Sequence, residues 1–400
     1  MSERADVMPT PEGEYIEKNR FAPLSFLLAI VGIVGLGLSA VGAFMSPHQF
    51  SFSWLFAFAF YFTMLAGCFF WIIVHHVVDA AWSVVVRRQL ENLAMLLAVM
   101  AIFFVPVLLC RHQLYEWMNI PVGHDHLLDS KRAYLNWRFF LGRAIFYFAF
   151  FIGATLLFRR FSIRQDRDGN PAFTLNMRRL AFVALPLFGL CITFGAYDWL
   201  LGVDYKWFST MWGVYIFAGA AGSSMSLLVL VITALRKAGY LKETVNMEHY
   251  HTMGKWMFAF TVFWAYIGFS QYMLIWYANM PEETEYFIRR NTESCNALSL
   301  FLVVGRFFVP FVLLLIQGLK KQPARLCIIA GWLVFMQAVD IYIVILPAFH
   351  GSGVHVSIWD FMPLIGMGGT LGFVFLWLVR RSSLFPNRDP RLLESLHFVN

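Results

Sequence analysis

The sequence predicts an all-α polytopic membrane protein with ten transmembrane helices. Its composition supports this fold class, because 59% of the 400 residues are hydrophobic and only 14% are charged. The mean hydropathy is +0.63, whereas a soluble domain has roughly 25% charged residues. The apolar residues also form ten separate runs of about 20 residues, which is the length that a helix needs to cross a bilayer.

The ten runs follow one another with no soluble domain between them. We predict helices near 22–45, 52–82, 90–110, 136–158, 179–202, 208–235, 255–280, 297–318, 326–349 and 356–379. The polar residues 1–21 include Glu12, Glu14 and Glu17, unlike the basic and apolar regions of a signal peptide. The first helix is therefore expected to be an uncleaved anchor.

Lysine and arginine are distributed unevenly between the two sides of the predicted bundle. Twenty-two of the 31 lie on the side of the termini, seven lie on the opposite side, and Arg143 and Arg306 lie within helices. Cytoplasmic loops hold the excess of Lys and Arg, so both termini are expected to be cytoplasmic. The formal net charge of +7 then indicates membrane orientation and contact with anionic lipid rather than nucleic-acid binding.

The second predicted helix carries an unusual group of ionisable residues. The stretch from Phe69 to Asn92, FFWIIVHHVVDAAWSVVVRRQLEN, contains His75, His76 and Asp79 within an apolar run. On a helix, residues three or four apart share a face, so one imidazole can meet the carboxylate. Ionisable residues at membrane depth often mark proton routes, and imidazole titrates near neutral pH. We predict a proton relay here; the alternative is a buried structural pair beside an ordinary interfacial helix end.

A Gly-Arg dipeptide recurs four helices apart, at Arg143 in helix four and at Arg306 in helix eight. Helices five and nine each carry an aspartate towards their outer end, Asp198 and Asp340. At a rise of 1.5 Å per residue, Arg306 and Asp340 lie at about the same depth, as do Arg143 and Asp198. We predict that each arginine pairs with its aspartate. The two aspartates are further candidates for the proton relay, and the alternative is a structural interhelical bond.

This recurrence predicts the domain organisation. A cytoplasmic tail, 1–21, precedes a membrane domain, 22–379, and a second cytoplasmic tail, 380–400, follows it. Within the membrane domain, helices two to five (52–202) and six to nine (208–349) are expected to form two four-helix bundles, flanked by helices one and ten.

The external loops are dense in Trp and Tyr beside charges, which is typical both of a docking surface and of an interfacial aromatic belt. After helix seven, the chain reads Asn279, Met280, Pro281, Glu282, Glu283. Proline restricts the residue before it, so helix seven should end here. The carboxylates of Glu282 and Glu283 are then expected at the outer mouth of the bundle.

The sequence offers no ligand set for an electron-carrying cofactor. The five cysteines are scattered singly, without CxxC, CxxCH or ferredoxin-like spacing, so covalent haem c, iron–sulfur clusters and other metal sites are not expected. A b-type cytochrome needs paired axial histidines on facing helices, but apart from His75 and His76 the histidines fall in loops or at helix ends. A bound quinone, quinol or lipid is possible, and its site is not indicated.

Three stretches resemble the ActF-type membrane subunit of bacterial alternative complex III, a quinol:electron-acceptor oxidoreductase. They are VHHVVDAAWSVVVRRQLE in helix two, HLLDSKRAYLNWRFFLGR leading into helix four, and QYMLIWYANMPEET at the end of helix seven. The resemblance implies an NrfD-like fold, similar to the membrane subunit of polysulfide reductase, in a bacterial inner membrane. It also implies three kinds of partner: a sister ten-helix subunit, an iron–sulfur subunit and haem c subunits.

These expectations combine in one function. The chain is expected to be a non-redox subunit that provides a proton-conduction route and a scaffold, while the resemblance places quinol oxidation in the sister subunit. The alternative is a secondary transporter working alone, which would favour helices broken by Gly or Pro near the midplane. Only helix ten, with GMGG at Gly366 to Gly369, has such a break.

Overall fold

The computed structural model describes residues 12–349 and 353–399. Ten of its helices are long and apolar enough to cross a membrane, and the described residues form no β-strand. The prediction of an all-α multi-pass membrane protein with ten spanning helices is therefore confirmed. In chain order the helices are α1 (Ala22–Met45), α2 (Pro47–Val77), α3 (Val84–Leu109), α4 (Trp137–Asp168), α5 (Ala172–Val203), α6 (Trp212–Lys237), α7 (Met247–Ala278), α8 (Glu293–Leu315), α9 (Pro323–Ala348) and α10 (Ile358–Val379).

Helices α2 and α6 form the centre of the bundle. Helix α2 packs against α3, α5, α6, α9 and α10, and α6 packs against α2, α5, α7 and α9. Of the most apolar stretch of each helix, 83% is buried in α2 and 72% in α6, but only 22% in α1 and α7. A helix that is apolar all round suits a central position, and the outer helices turn an apolar face to the surroundings.

Two groups of four helices each form a closed ring of contacts. Helices α2, α3, α4 and α5 each pack on the next, and α5 packs back on α2; α6, α7, α8 and α9 do the same. The extensive contact of α2 with α6 joins the groups, and most of the buried apolar residues belong to one continuous core. The division into two four-helix bundles stays a prediction.

Helix α10 is continuous, so the break expected at its GMGG sequence is absent. Its glycines lie against glycines of α1 instead. A Cβ atom at Gly35 would lie 2.6 Å from the Cα and N atoms of Gly366, and one at Gly369 would lie 2.5 Å from the N atom of Gly32. The small residues therefore allow two backbones to approach closely, and the feature that favoured a secondary transporter is a packing contact.

The two ends of the bundle differ in how the chain covers them. The segment before α1 and the C-terminal segment (residues 380–399) meet at one end, where the Leu384 N–H donates to the Glu14 carbonyl oxygen at 2.8 Å. We call this the terminal end, and the other the opposite end. The C-terminal segment is polar in composition, but Leu384, Phe385 and Leu392 are fully buried. Tertiary contacts therefore cover the segment, and the cytoplasmic location of the terminal end stays a prediction.

The glycine contact between α1 and α10 can be tested with a matched pair of substitutions. Gly35→Ala should lower the free energy of unfolding by about 1–3 kcal/mol, because the added methyl group meets backbone atoms that cannot rotate away. Gly37→Ala is the control, since a Cβ atom there meets nothing within 4 Å. It should be neutral or stabilising by about 0.5–1 kcal/mol. Equal denaturation midpoints of the two variants in detergent would contradict the proposed role of the contact.

Candidate functional site

Asp79 lies beyond the end of α2, and this corrects the predicted relay. Helix α2 ends at Val77, and Asp79 follows with a left-handed backbone, φ 52°. The Ala80 N–H donates to the His75 carbonyl oxygen at 2.9 Å, which is the bond that closes a helix before a left-handed residue. The chain therefore turns away immediately after the histidines. The helix face that Asp79 was predicted to share with His75 and His76 does not exist.

The Asp79 carboxylate instead lies at the surface of the terminal end. Its side chain is 45% exposed and forms ion pairs with Arg178 of α5 and with Arg391 of the C-terminal segment. Exposed pairs of this kind contribute only about 0–1 kcal/mol to stability. As a member of the predicted proton relay, Asp79 could act only at the water-accessible end of it.

The imidazole of His75 is hydrogen-bonded on both sides by residues that come later in the sequence. Its Nδ1 lies 2.5 Å from Ser83 Oγ, and its Nε2 lies 2.6 Å from Arg87 Nη1. A guanidinium group only donates hydrogen bonds, so Nε2 of His75 must be the acceptor. The ring proton is therefore on Nδ1, where it donates to Ser83 Oγ. This arrangement holds His75 as a neutral imidazole.

His76 has a different environment although it adjoins His75. Its ring stacks on Phe158 of α4, with ring centres 5.4 Å apart, and lies perpendicular to the His75 ring at 4.7 Å. The side chain is buried, and its Nε2 atom has no hydrogen-bond partner among the residues that the structure describes. A buried polar atom without a partner is costly and calls for an explanation.

The first turns of α3 carry a buried network of charges that sequence reasoning missed. Arg87 and Arg88 were interpreted as a possible interfacial helix end, but both are fully buried. Arg87 lies 3.3 Å from Glu91 and 2.8 Å from Asp389, and Arg88 lies 3.5 Å from Glu91 and 2.5 Å from Asp166. The i, i+3 and i, i+4 spacing of RRQLE was a signal for the contacts within α3. Nothing in the sequence indicated Asp166 or Asp389.

Asp389 belongs to the C-terminal segment, outside the spanning helices, and its ionisation can be assigned. Burial by itself would raise the pKa of this carboxyl group. The Arg87 guanidinium and the backbone N–H of Arg391, at 2.9 Å, stabilise the carboxylate more strongly, and the pKa of Asp389 lies below its ordinary value. Because the folded-state pKa is lowered, the stability that Asp389 contributes is present above the ordinary carboxyl pKa and is lost as the pH falls through the lowered value.

The predicted pair of Arg306 and Asp340 is confirmed. Arg306 Nη1 donates to Asp340 Oδ2 at 2.8 Å, and both side chains are buried. The same carboxylate accepts hydrogen bonds from the Tyr215 hydroxyl of α6 and, at 3.2 Å, from Trp264 Nε1 of α7. Arg306 Nη2 donates to Gln337 Oε1 at 2.5 Å. One ion pair thus joins side chains from four helices.

A local distortion of α8 places Arg306 in this network. Residues Val304–Phe308 form a turn of π-helix, a distortion that is frequent at functional sites. The Gly305 carbonyl oxygen accepts a hydrogen bond from Trp332 Nε1 at 2.6 Å. The residue of α6 that faces Arg306 is Gly219, where a Cβ atom would lie 2.9 Å from Arg306 Nη2. The guanidinium group therefore fits only because the facing residue has no side chain.

The predicted pair of Arg143 and Asp198 is also confirmed. Arg143 Nε and Nη2 donate to the two carboxylate oxygens at 2.8 and 2.7 Å, and the Tyr147 hydroxyl donates to the same carboxylate at 2.8 Å. The guanidinium group lies over the rings of Tyr134 and Phe139, 3.8 and 4.3 Å from their centres. A bidentate pair covered by aromatic rings is strong and geometrically specific.

The two pairs share a plan that the sequence indicated only in part. Each joins an arginine on one helix to an aspartate on the next, and each aspartate accepts a hydrogen bond from a tyrosine. Tyr147 is one helical turn after Arg143 and was in principle recognisable from its spacing. Tyr215 comes from α6, so only the tertiary structure shows that it belongs to the second pair.

Glu282 and Glu283 lie at the opposite end, on a short helix, Pro281–Arg289. Helix α7 ends at Ala278 and Asn279 is left-handed with φ 49°, so the predicted end of this helix is confirmed. The two carboxylates lie in the first turn of the short helix, where they interact favourably with the positive end of the helix dipole. Their assignment to an outer mouth stays a prediction.

An aromatic cavity of ≈380 Å³ lies at the opposite end, between the loop before α4 and the loop after α5. Tyr134, Tyr205, Trp207 and Phe208 line it together with Lys131, whose Nζ donates to the Tyr205 carbonyl oxygen at 2.8 Å. Burial lowers the pKa of Lys131, against the opposing effect of two nearby aspartates. A bound quinone, quinol or lipid stays a prediction.

The spanning helices and their buried ion pairs define a multi-pass α-helical membrane protein. No protein-family model matches the chain, and no curated protein matches it. Within the described ranges, no three or more His, Cys, Asp or Glu side chains are grouped so as to hold a metal ion. The resemblance to the alternative complex III subunit therefore stays a prediction, and the proposal below depends on the geometry of the buried charges.

The Arg306 and Asp340 pair can be tested by single and double substitution. Arg306→Met or Asp340→Leu alone should lower the free energy of unfolding by about 3–5 kcal/mol, because each leaves a buried charge without its partner. The double variant should recover much of this loss. Arg289→Met is the control, since Arg289 and its partner Glu285 are 47% and 45% exposed, and it should cost about 0–1 kcal/mol. Additive losses in a double-mutant cycle would show that the two residues do not pair energetically.

Proposed function

We propose that the chain is a proton-conducting membrane subunit of a quinol-oxidising complex of the alternative complex III type in a bacterial inner membrane. The observation that carries the proposal is the burial of ionisable groups at both ends of one bundle. Such groups are rare at membrane depth and usually serve a proton or ion route. In this proposal the terminal end faces the cytoplasm, as the distribution of Lys and Arg predicts.

At the terminal end, His75 and His76 are the groups that would exchange protons. They lie in the last turn of α2, and their rings are 4.7 Å apart. The neighbouring ion pairs of α3, two arginines with three carboxylates, provide fixed charges that keep the region polar. Asp79, with its exposed carboxylate, would exchange protons with water.

At the opposite end, Asp340 and Asp198 are the groups that would release protons. Each aspartate accepts a hydrogen bond from a tyrosine hydroxyl, Tyr215 or Tyr147, and is paired with an arginine. In this proposal, proton transfer through either aspartate requires its ion pair to loosen. The alternative is a purely structural role for the same contacts.

The electron-transfer chemistry would belong to the partners. Quinol oxidation releases two electrons and two protons, and in the proposed complex the sister ten-helix subunit, the iron–sulfur subunit and the haem c subunits handle the electrons. The present chain would supply the scaffold and a path for protons. Haem c subunits would dock at the opposite end, where Glu282, Trp276 and Tyr277 are exposed.

Membership in such a complex can be tested by purification of the tagged chain from native membranes in a mild detergent. We expect a second ten-helix polypeptide, an iron–sulfur polypeptide and covalently bound haem c to copurify in fixed ratio. Membranes with the untagged chain are the control for non-specific retention. A chain that purifies alone and moves a solute across vesicles on its own would instead support a secondary transporter.

The role of His76 can be tested with a substitution that separates proton transfer from packing. His76→Phe keeps an aromatic ring against Phe158 but removes the buried Nε2 atom, so the free energy of unfolding should not fall. If His76 belongs to the route, proton uptake per electron in oriented vesicles should fall while quinol oxidation persists. His251→Phe, a buried histidine of α7, is the control and should leave this ratio unchanged. An unchanged ratio in a fully assembled His76→Phe complex would exclude His76 from the route.

A further inference from the structure

The C-terminal segment covers the terminal end and is bonded to three of its parts. Eight of its residues between 382 and 395 are buried: Ser382, Ser383, Leu384, Phe385, Pro386, Asp389, Leu392 and Ser395. The bonds join Gln89 Nε2 to the Leu384 carbonyl oxygen at 2.7 Å, the Asn387 N–H to Asp166 at 3.1 Å, and Ser395 Oγ to the Trp82 carbonyl oxygen at 3.1 Å. The segment is therefore fixed to α3, to α4 and to the turn between α2 and α3.

One guanidinium group links this segment to the histidines of α2. Arg87 Nη2 lies 2.8 Å from Asp389 Oδ2, and Arg87 Nη1 donates to His75 Nε2 at 2.6 Å. The side chains of Arg87 and Asp389 are 1% and 3% exposed, so water does not screen their attraction. Glu91 is the only other carboxylate paired with Arg87 among the described residues, at 3.3 Å. Asp389 thus supplies one of two negative charges that fix the guanidinium group.

This contact has a direct consequence for His75. The Nε2 atom that accepts from Arg87 is the one at which a neutral imidazole with its proton on Nδ1 would gain a second proton. An imidazolium ring in the same place would direct an N–H group at a guanidinium N–H group, with two positive charges 2.6 Å apart. His75 can gain a proton only after Arg87 moves, and Asp389 opposes that movement.

We propose that the C-terminal segment is a displaceable plug that closes the terminal end over His75 and His76. Asp389 is its positioning residue, because it holds Arg87 on His75. Water and protons reach the two histidines when the segment moves away and Arg87 loses this partner. The link to proton transport rests on the proposed function, whereas the closure itself does not.

Chemical modification of histidine measures the closure without reference to transport. Diethylpyrocarbonate adds an ethoxycarbonyl group to an accessible neutral imidazole, and mass spectrometry locates it. In the purified full-length protein, with any subunits that copurify, we expect His124, which is exposed, to react and His75 and His76 to be protected. Asp389→Asn should raise their modification relative to His124 by about tenfold or more, because removing one member of a buried ion pair favours local opening.

Two further variants of the same segment distinguish positioning from a general structural defect. Asp389→Glu keeps the carboxylate and should restore most of the protection. Glu394→Gln removes an exposed carboxylate that pairs with Arg391 at 2.6 Å, and it should leave the protection at the wild-type level. The proposal is overturned if His75 and His76 react in the wild type as readily as His124, or if Asp389→Asn protects them as well as the wild type does.

A reversible crosslink provides the second test and does not depend on the folding of Asp389→Asn. The Val85 N–H donates to Ser395 Oγ at 3.4 Å, so the two residues are adjacent. In the variant Val85→Cys/Ser395→Cys, oxidation should form a disulfide that holds the segment in place. Because the minor open state would then be removed, proton uptake per electron should fall at least about fivefold relative to the reduced protein. Full uptake in the oxidised form would show that displacement is not required.

Different results contradict the proposed function and the plug. If the wild-type complex shows no proton uptake at the terminal end, the proposed function is wrong while the labelling result still decides whether the plug exists. If uptake is normal and the oxidised crosslink does not change it, the proposed function stands and the plug is wrong.

Discussion

An arginine buried in an apolar helix bundle needs polar partners, because an unpaired charge there costs several kcal/mol. Of the five arginines that are buried among the described residues, Arg87, Arg88, Arg143 and Arg306 have carboxylate partners, and Arg159 donates to Ser382 Oγ at 3.3 Å. These pairs join α4 to α5, α8 to α9, α3 to α4, and α3 to the C-terminal segment. They therefore determine which elements are neighbours and at what register, whereas apolar packing between lipid-like surfaces is far less selective.

The spans could be predicted from hydropathy, but not all of their ends could. Helix α4 continues to Asp168, ten residues beyond the predicted limit, and stops where Gly169 adopts a left-handed conformation. Helix α7 begins at Met247, eight residues early, after Asn246 caps its first turn. A hydropathy scan finds the part of a helix that lies in lipid, while capping residues determine where the hydrogen-bonded helix itself starts and stops.

The site was predictable where both partners lie on regular helices at known depth. Arg143 with Asp198, and Arg306 with Asp340, satisfy that condition, and their pairing follows from counting residues. Asp79 does not, because a single left-handed residue takes it off the helix that its spacing implied. The sequence also did not indicate the burial of the C-terminal segment. Its composition is polar, and its burial results from tertiary contacts with other parts of the chain.

Hydrogen-bond chemistry makes the two adjacent histidines unequal in the proposed route. His75 has both ring nitrogens engaged, one donating to Ser83 and one accepting from Arg87, so a change in its protonation breaks a bond. His76 has an Nε2 atom that no described residue engages, and a proton can leave or reach it without that cost. A proton would reach His76 only when the C-terminal segment moves away, and it would pass to His75 only when Arg87 withdraws. In the proposed route the two histidines would therefore act in this order, and Asp389, which holds Arg87 on His75, would control the second step.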